Sequence, residues 1–216
     1  MITGKKSYLQ YEGKEITVLN QRSRLWTHLY DCAEPKRETL FDAGCGIFSA
    51  CYCGQWLTGK EFSPDQLAAF SMENGGCDNT GTNRPMLLAA MQEKGWAKEF
   101  GFEYHGDGLR NDLDTLKTHL LEHRGTSLCN LRVGHIVALV DARKVGDEVQ
   151  VLALDPNSES ADDRITRHVR QVIEESAIYS AITNENGLVV GERKQYAMFW
   201  INIETVRDFN LLHAIE

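Results

Sequence analysis

The pattern of apolar and polar positions changes from helical to extended near the middle of the chain. Residues 45–57 are apolar on almost every side of a helix drawn through them. This pattern is typical of a buried central helix rather than a surface helix. Thr58 and Gly59 follow the apolar run and predict the end of the helix.

Three further helices are predicted after this buried one. Ser63 as the N-cap, Pro64 at the first helical position and Gln66 completing a capping box predict the start of the first. The second is expected near 85–94. The third is expected over about 112–123, because leucines recur there at helical spacing on one face.

Extended segments dominate the second half of the sequence. The predicted strands are 15–19, 127–131, 134–140, 149–155 and 195–203. One helix is expected among them, between about 164 and 175. Helices followed by an antiparallel sheet indicate the α+β class. Since no repeat or linker interrupts the chain, residues 1–216 are predicted to form one domain, with a helical half at about 40–125 and a sheet half at about 126–205.

Composition and charge narrow the class of protein. The chain is 42% hydrophobic and 25% charged, which is ordinary for a globular protein. Its net charge of −8 argues against nucleic acid or an anionic membrane as the main partner. The apolar stretches at 135–140 and 197–203 are too short to cross a bilayer. No apolar run follows Lys5 and Lys6, so we expect a cytoplasmic protein, or a secreted one whose leader has been removed.

The six cysteines are predicted to be free thiols rather than a disulfide framework. Cys51 and Cys53 have the wrong spacing for a zinc knuckle, and no Cys-x-x-Cys pair occurs. His119 and His123 stand four residues apart on a predicted helix, where a solvated face is favoured over a metal site. The glycine-rich loop at 75–83 is interpreted as the rim of a substrate cleft. We expect neither a metal nor a cofactor.

Cys45 lies between Gly44 and Gly46 at the start of the buried helix. Backbone N–H groups at a helix N-terminus are unpaired, and the helix dipole is positive there. Both features favour the thiolate, which is the nucleophilic form of cysteine. The sequence therefore indicates Cys45 as a candidate nucleophile, against the alternative of a small buried residue.

A predicted hairpin provides a histidine and an aspartate for this thiol. If the turn pivots about Val145, residues whose numbers sum to 290 lie opposite one another, and His135 and Asp155 are such a pair. A carboxylate bonded to one imidazole nitrogen leaves the other nitrogen for a thiol. A slip by one residue would send the pair to opposite faces. The alternative interpretation is a buried histidine satisfied by a turn aspartate.

Four short motifs occur in order along the chain: Gly44-Cys45-Gly46 opening a helix, Leu57-Thr58-Gly59-Lys60 closing it, Gly134-His135 on a strand and Leu154-Asp155-Pro156 on the next. Together they resemble the papain-like cysteine peptidases, and most of all the branch related to bacterial peptidases that process double-glycine bacteriocin leaders. The resemblance spans roughly residues 15–205. It implies a helical half that carries the nucleophile, packed on an antiparallel sheet that carries the other two residues.

The resemblance also implies residue roles. Cys45 would be the nucleophile, His135 the general base and then acid, and Asp155 the residue that orients the histidine. The family usually places an oxyanion-hole glutamine a few residues before the nucleophile, but here that segment reads Thr39-Leu40-Phe41-Asp42. Gln21, farther upstream and followed by Trp26, is the candidate instead, alongside the Cys45 backbone N–H.

Three functions follow from this reasoning. The first is hydrolysis of a peptide or amide bond in a peptide or protein substrate through a thioacyl-enzyme. The second is acyl transfer to an amine or thiol by the same three residues, as in transglutaminase-like or phytochelatin-synthase-like enzymes. The third is a catalytically silent papain-like binding module, which the missing near-upstream glutamine favours.

Overall fold

The computed structural model describes residues 8–23, 26–33, 38–79, 81–132, 134–157, 170–173, 177–183, 186 and 188–215. The α-helices of these residues are α1 (Leu40–Ala43), α2 (Cys45–Thr58), α3 (Pro64–Glu73), α4 (Arg84–Glu93), α5 (Trp96–Glu99) and α6 (Leu113–Leu121). Short 3₁₀ turns span Arg110–Asp112 and Ile203–Thr205. None of the helices described is long and apolar enough to pass through a membrane.

Strands precede, interrupt and follow these helices. They are β1 (Tyr8–Tyr11), β2 (Lys14–Thr17), β3 (Cys77–Asp78), β4 (Gly81–Thr82), β5 (Phe102–Leu109), β6 (Gly125–Leu131), β7 (Ile136–Val145), β8 (Glu148–Leu154), β9 (Arg170–Val172), β10 (Ala177–Thr183), β11 (Val189–Tyr196), β12 (Met198–Asn202) and β13 (Val206–Ala214).

Seven of these strands form one sheet in the order β5-β13-β6-β7-β8-β12-β9. Every neighbouring pair in it is antiparallel. The last strand of the chain, β13, lies between β5 and β6. The pairs β1–β2, β3–β4 and β10–β11 form separate two-stranded sheets. The predicted α+β class is therefore confirmed.

The large sheet buries an apolar surface on each face. Alternate residues of β7 divide between the faces: Ile136 and Ala138 join the core that contains α2, whereas Val137 and Leu139 join the core that contains α6. This alternation is the period-two geometry of a strand. The sheet thus lies between α2 on one side and α6 on the other.

The buried central helix matches its predicted limits. It begins at Cys45 and ends at Thr58, and Gly59 follows in the left-handed conformation with φ of 70°. Residues 46–56 are buried on every side of the helix. The next helix also starts as predicted, because Ser63 Oγ accepts a hydrogen bond from the Gln66 N–H at 3.4 Å with Pro64 at the first position.

Three predicted elements differ in the structure. The glycine-rich loop contains the β3–β4 hairpin. The helix predicted over 112–123 ends at Leu121, and His123 lies beyond it with φ of 51°. His119 and His123 therefore do not share a helix face. Of the helix predicted at 164–175, residues 164–169 and 174–175 lie outside the described residues, whereas Arg170–Val172 form a strand.

Candidate active site

Cys45 is the first residue of α2, and a hydrogen bond one turn later fixes this helix on the sheet. Ser49 Oγ donates to the carbonyl of Ile136 at 3.1 Å. Ile136 is the first residue of β7 and directly follows His135. Because Cys45 and Ser49 are one helical turn apart, this bond places the thiol beside the start of β7.

Further polar contacts are made by side chains on the same face of this helix. Tyr52 follows Ser49 on this face, and its hydroxyl donates to the Leu19 carbonyl at 3.1 Å and accepts from the Leu19 N–H at 2.8 Å. Neither Ser49 nor Tyr52 was predicted from the sequence to hold the site. Their signal was a hydroxyl group four and seven positions after the cysteine, in a mostly apolar helix.

The hairpin that carries His135 and Asp155 has a different register from the predicted one. The numbers of two paired residues add up to 293 near the turn and to 292 farther from it. The change occurs because Val140 is an extra, unpaired residue between Leu139 and Asp141. The predicted sum of 290 is therefore wrong. With the register found near the turn, residues 135 and 155 would lie on opposite faces of the sheet. The β-bulge shifts the register by one residue, which returns the two residues to the same face.

His135 and Asp155 are nevertheless in contact just beyond the paired part of the hairpin. His135 Nε2 lies 2.7 Å from Asp155 Oδ1, and the two side chains are 8% and 0% exposed. The same carboxylate oxygen accepts from the Asn157 N–H at 2.7 Å. The Asp155 N–H donates to the Ala197 carbonyl at 2.9 Å, which holds the residue at the end of β8.

Cys45 completes a row of three groups and is itself half-buried. Its thiol lies within the electrostatic reach of His135, and since Nε2 of that ring bonds to Asp155, Nδ1 is the nitrogen left for the sulfur. Burial alone would raise the pKa of the Cys45 thiol. The hydrogen bond and charge of His135, with the N–H groups of Ile136 and Gly46, outweigh burial and lower the pKa.

The pKa of His135 moves in the opposite direction. Burial alone would lower it, but the carboxylate of Asp155 and the neighbouring Cys45 sulfur raise it to about 10. A lowered thiol pKa beside a raised imidazole pKa favours a thiolate–imidazolium pair over the neutral pair. Such a pair supplies a nucleophile and a proton donor in one place.

Cys51, Cys53 and Cys129 are fully buried thiols in inert surroundings. Burial raises the pKa of Cys53 to about 12 and raises the pKa of Cys51 and Cys129 further. All six cysteines are free. Among the described residues, no group of three or more His, Cys, Asp or Glu side chains is placed to hold a metal ion.

Gln21 links the segments on either side of the site. Its side chain is buried, and Nε2 donates to the carbonyls of Phe41 and Asp42 at 3.2 and 3.3 Å. Its own N–H donates to the Pro156 carbonyl at 2.7 Å, next to Asp155. The structure thus places Gln21 between the segment that leads to Cys45 and the segment that follows Asp155. Donation from Gln21 to an oxyanion remains a prediction.

A cleft of about 630 Å³ opens at Cys45. It is bounded on one side by the β3–β4 hairpin and the start of α4, and on the other by β5, β6 and β13. Its charged lining residues are Asp78, Arg84, Asp107, Arg207 and Asp208. Asp208 contacts both arginines, with Arg207 Nε at 2.9 Å. The cleft therefore presents charged and polar side chains together with apolar surface beside the thiol.

A scan against protein-family models, a search of curated proteins and a search of solved structures each found no match to this chain.

Proposed function

We propose that this protein is a cysteine peptidase or amidase with a papain-like arrangement. One observation carries the proposal: the buried His135 bonds to the Asp155 carboxylate and acts on the half-buried Cys45 thiol at the mouth of a cleft. A histidine with a purely structural role would require neither a thiol at a helix start beside it nor a cleft that opens on that thiol. Both features are present here.

The proposed fold assignment is supported by the way two parts of the structure meet. The helix that begins with Cys45 packs on an antiparallel sheet. His135 directly precedes strand β7 of that sheet, and Asp155 directly follows strand β8. The chain order of nucleophile, histidine and carboxylate is the order that the papain-like resemblance implies. This arrangement, rather than the number of strands, supports the assignment.

In the proposed reaction, the Cys45 thiolate attacks the carbonyl carbon of a peptide or amide bond. His135 then donates its proton to the departing amine, which leaves a thioacyl-enzyme. A water molecule gives a proton back to His135 and attacks the thioester, releasing the carboxylic acid and restoring the Cys45 thiolate beside the imidazolium. Asp155 keeps the imidazole oriented and stabilises its positive charge throughout.

The developing oxyanion would lie near the N-terminus of α2, where the Cys45 backbone N–H and the helix dipole favour negative charge. For Gln21 to contribute as well, its amide must release the carbonyl of Phe41 or Asp42. The lining of the cleft suits a peptide, because it offers charged and polar side chains together with apolar surface beside the thiol.

The proposal is tested with a mixed library of peptides prepared from a proteome digest. Wild type is expected to produce new peptide termini, and Cys45→Ala and His135→Ala to produce none above background. Cys129→Ala, which changes a buried thiol in the other core, is the matched control and should retain cleavage.

A primary amine added to the same reaction separates hydrolysis from acyl transfer. Products that carry the amine in preference to free acid would support the acyltransferase alternative. If wild type forms neither product, and no thioester on Cys45 is detected by mass spectrometry, the proposed catalytic function is wrong.

A further inference from the structure

A row of four aromatic rings lines a groove of about 430 Å³ between α3 and α5. Phe62 stacks on Phe100 with ring centroids 3.8 Å apart, and Phe70 stacks on Trp96 with centroids 4.4 Å apart. The two stacks meet where the rings of Trp96 and Phe100 lie 6.3 Å apart. Because the planes of neighbouring rings differ by only 24–28°, the rings of the row are nearly parallel.

The central helix α2 holds this row in place. At Gly54, an added Cβ would lie 2.7 Å from Phe100 Cδ1 and 2.8 Å from Phe62 Cε2, so both rings lie directly against the helix. Gly54 is nine positions after Cys45, or roughly 14 Å along the helix axis at about 1.5 Å per residue. Among the described residues, none lines both this groove and the cleft at Cys45. The groove is thus preformed, which lowers the cost of binding a ligand there.

Two carboxylates stand at the rim of the groove. Glu73 follows Phe70 by three residues in α3, and Glu99 follows Trp96 by three residues in α5, so each shares a helix face with one ring of the same stack. Both residues are exposed and line the groove. They are the only charged residues among the described ones that line it. The groove therefore combines aromatic rings with negative charge.

We propose that this groove binds the arginine side chain of a peptide or protein. A cation is attracted to the face of an aromatic ring, and most strongly to tryptophan. Carboxylates accept charge-assisted hydrogen bonds from a guanidinium group. In the proposed complex, the guanidinium stacks on the half-buried Trp96 indole and donates to Glu73 and Glu99. Nothing in this proposal depends on the reaction proposed at Cys45.

The arrangement of the rings favours arginine over other cations. A round quaternary ammonium group is held best where ring faces surround it from several directions. Here the rings are nearly parallel, so a planar guanidinium can lie flat against them and still direct its N–H groups sideways to carboxylates. A lysine ammonium is compact and strongly hydrated, and it has no flat face to stack.

The openness of the groove favours a side chain that enters from a polypeptide. Phe62 and Trp96 are half-buried, and the two carboxylates at the rim are exposed. Sites for free small molecules usually enclose most of the ligand surface. A groove that is open along its rim can instead admit one side chain while the backbone of the bound polypeptide stays outside.

The test is an NMR titration of the whole ¹⁵N-labelled chain with a blocked peptide that carries one arginine among glycines and serines. The chain has four tryptophans, and the indole N–H signal that disappears in Trp96→Phe identifies Trp96. The arginine peptide is expected to shift this signal until it saturates. A matched peptide with citrulline, which has a similar planar shape and no charge, should bind about tenfold more weakly.

Variants at the rim test the charge without touching the aromatic row. Combining Glu73→Gln with Glu99→Gln should weaken binding of the arginine peptide about tenfold and leave binding of the citrulline peptide unchanged. Glu122→Gln is the matched control, because it removes an exposed carboxylate that bonds to Arg124 outside the groove. It should retain the affinity of wild type.

The titration is repeated in Cys45→Ala, where the arginine peptide should bind with the same affinity even if the proposed catalytic function is wrong. Three results would overturn the proposal of an arginine site. The arginine and citrulline peptides could bind equally well, or a trimethyllysine peptide could bind more tightly than the arginine peptide. Alternatively, the Trp96 signal could stay unmoved by any of the peptides at millimolar concentration. Equal weakening by Glu122→Gln and by the rim variant would also contradict it, because general negative charge would then explain the binding.

Discussion

At the scale of single residues, His135 determines the chemistry of the site. Burial disfavours both a charged imidazole and a charged thiol, yet the two stabilise one another and Asp155 adds a second negative charge. Removing one member of such a buried set leaves a charge without compensation. The thiol and the imidazole should therefore titrate as a pair rather than as separate residues.

Asp155→Asn tests the carboxylate with little change of shape. Without its charge, the pKa of His135 should fall from about 10, and the pKa of Cys45 should rise. We expect alkylation of Cys45 by iodoacetamide at pH 7 to slow by a factor of about 10–100, since one pKa unit is a tenfold change in ionisation.

Residue-resolved mass spectrometry measures that rate. Asp78→Asn is the control, because it removes another carboxylate that lines the same cleft. Equal slowing in both variants would show that the general negative charge of the cleft, not the bond to His135, sets the reactivity of Cys45.

The sequence identified Cys45, His135 and Asp155 as candidates because each has a local signal. Two glycines flank the cysteine at a helix start, and the other two residues border strands of one hairpin. The contacts of Gln21 had no such signal. Its side chain bonds to carbonyls of Phe41 and Asp42, and those bonds depend on the path of the intervening loop.

At the scale of elements, the close packing of α2 on the β3–β4 hairpin can be tested at Gly46. Helix propensity alone predicts that Gly46→Ala stabilises the protein by up to about 1 kcal/mol. The new Cβ would lie 2.4 Å from Thr82 Cβ and 2.5 Å from its Oγ1, so the hairpin must move. We expect the clash to win, with a net destabilisation of about 1–3 kcal/mol.

Urea unfolding of Gly46→Ala, Thr82→Gly and the double variant measures this term as a double-mutant cycle. The double variant should be more stable than the sum of the two single changes predicts. If the changes in the free energy of unfolding are strictly additive, the β3–β4 hairpin does not contact α2 at Gly46.

The register of the β7–β8 hairpin was predicted incorrectly for a reason that also lies at the scale of elements. Apolar alternation sets which residues of a strand share a face, but nothing in the residues around Val140 marks the extra residue of a bulge. The β3–β4 hairpin was missed for another reason. Its strands have two residues each, which is too short for any alternation to appear.

At the scale of the whole molecule, the α+β class was predictable because helical and extended periodicities occupy different parts of the chain. The position of β13 was not predictable in this way. It lies between β5 and β6, so its pairing joins residues about a hundred positions apart. Strand order of this kind depends on long-range packing, which period-two patterns do not encode.

A buried histidine in the core that contains α6 is predicted to make the stability of the fold sensitive to acid. His119 is buried against the sheet, with Nε2 2.9 Å from the Thr126 carbonyl and its ring stacked near His213. Burial and the charges of His213, Arg124 and His105 lower its pKa to about 4. Between pH 6.5 and 4 the unfolded chain takes up a proton that the folded protein does not, so stability falls as the pH falls.

Urea unfolding at pH 7 and at pH 4.5 measures this loss. His119→Gln keeps an N–H group for Thr126 and should lose less stability than wild type over that interval. His123→Gln, which changes an exposed histidine, should lose as much as wild type. Identical losses in all three proteins would show that His119 does not account for the effect.

The central claim is that Cys45 exists as a thiolate paired with His135, and its alkylation as a function of pH tests this most directly. Iodoacetamide labelling of each cysteine would be followed from pH 5 to pH 10 in wild type and in His135→Ala. We predict that wild-type Cys45 reacts nearly as fast at pH 7 as at pH 9, and that the variant reacts appreciably only at the alkaline end. If Cys45 in both proteins gains reactivity only as the pH approaches 9, the thiol is an ordinary one and the account is contradicted.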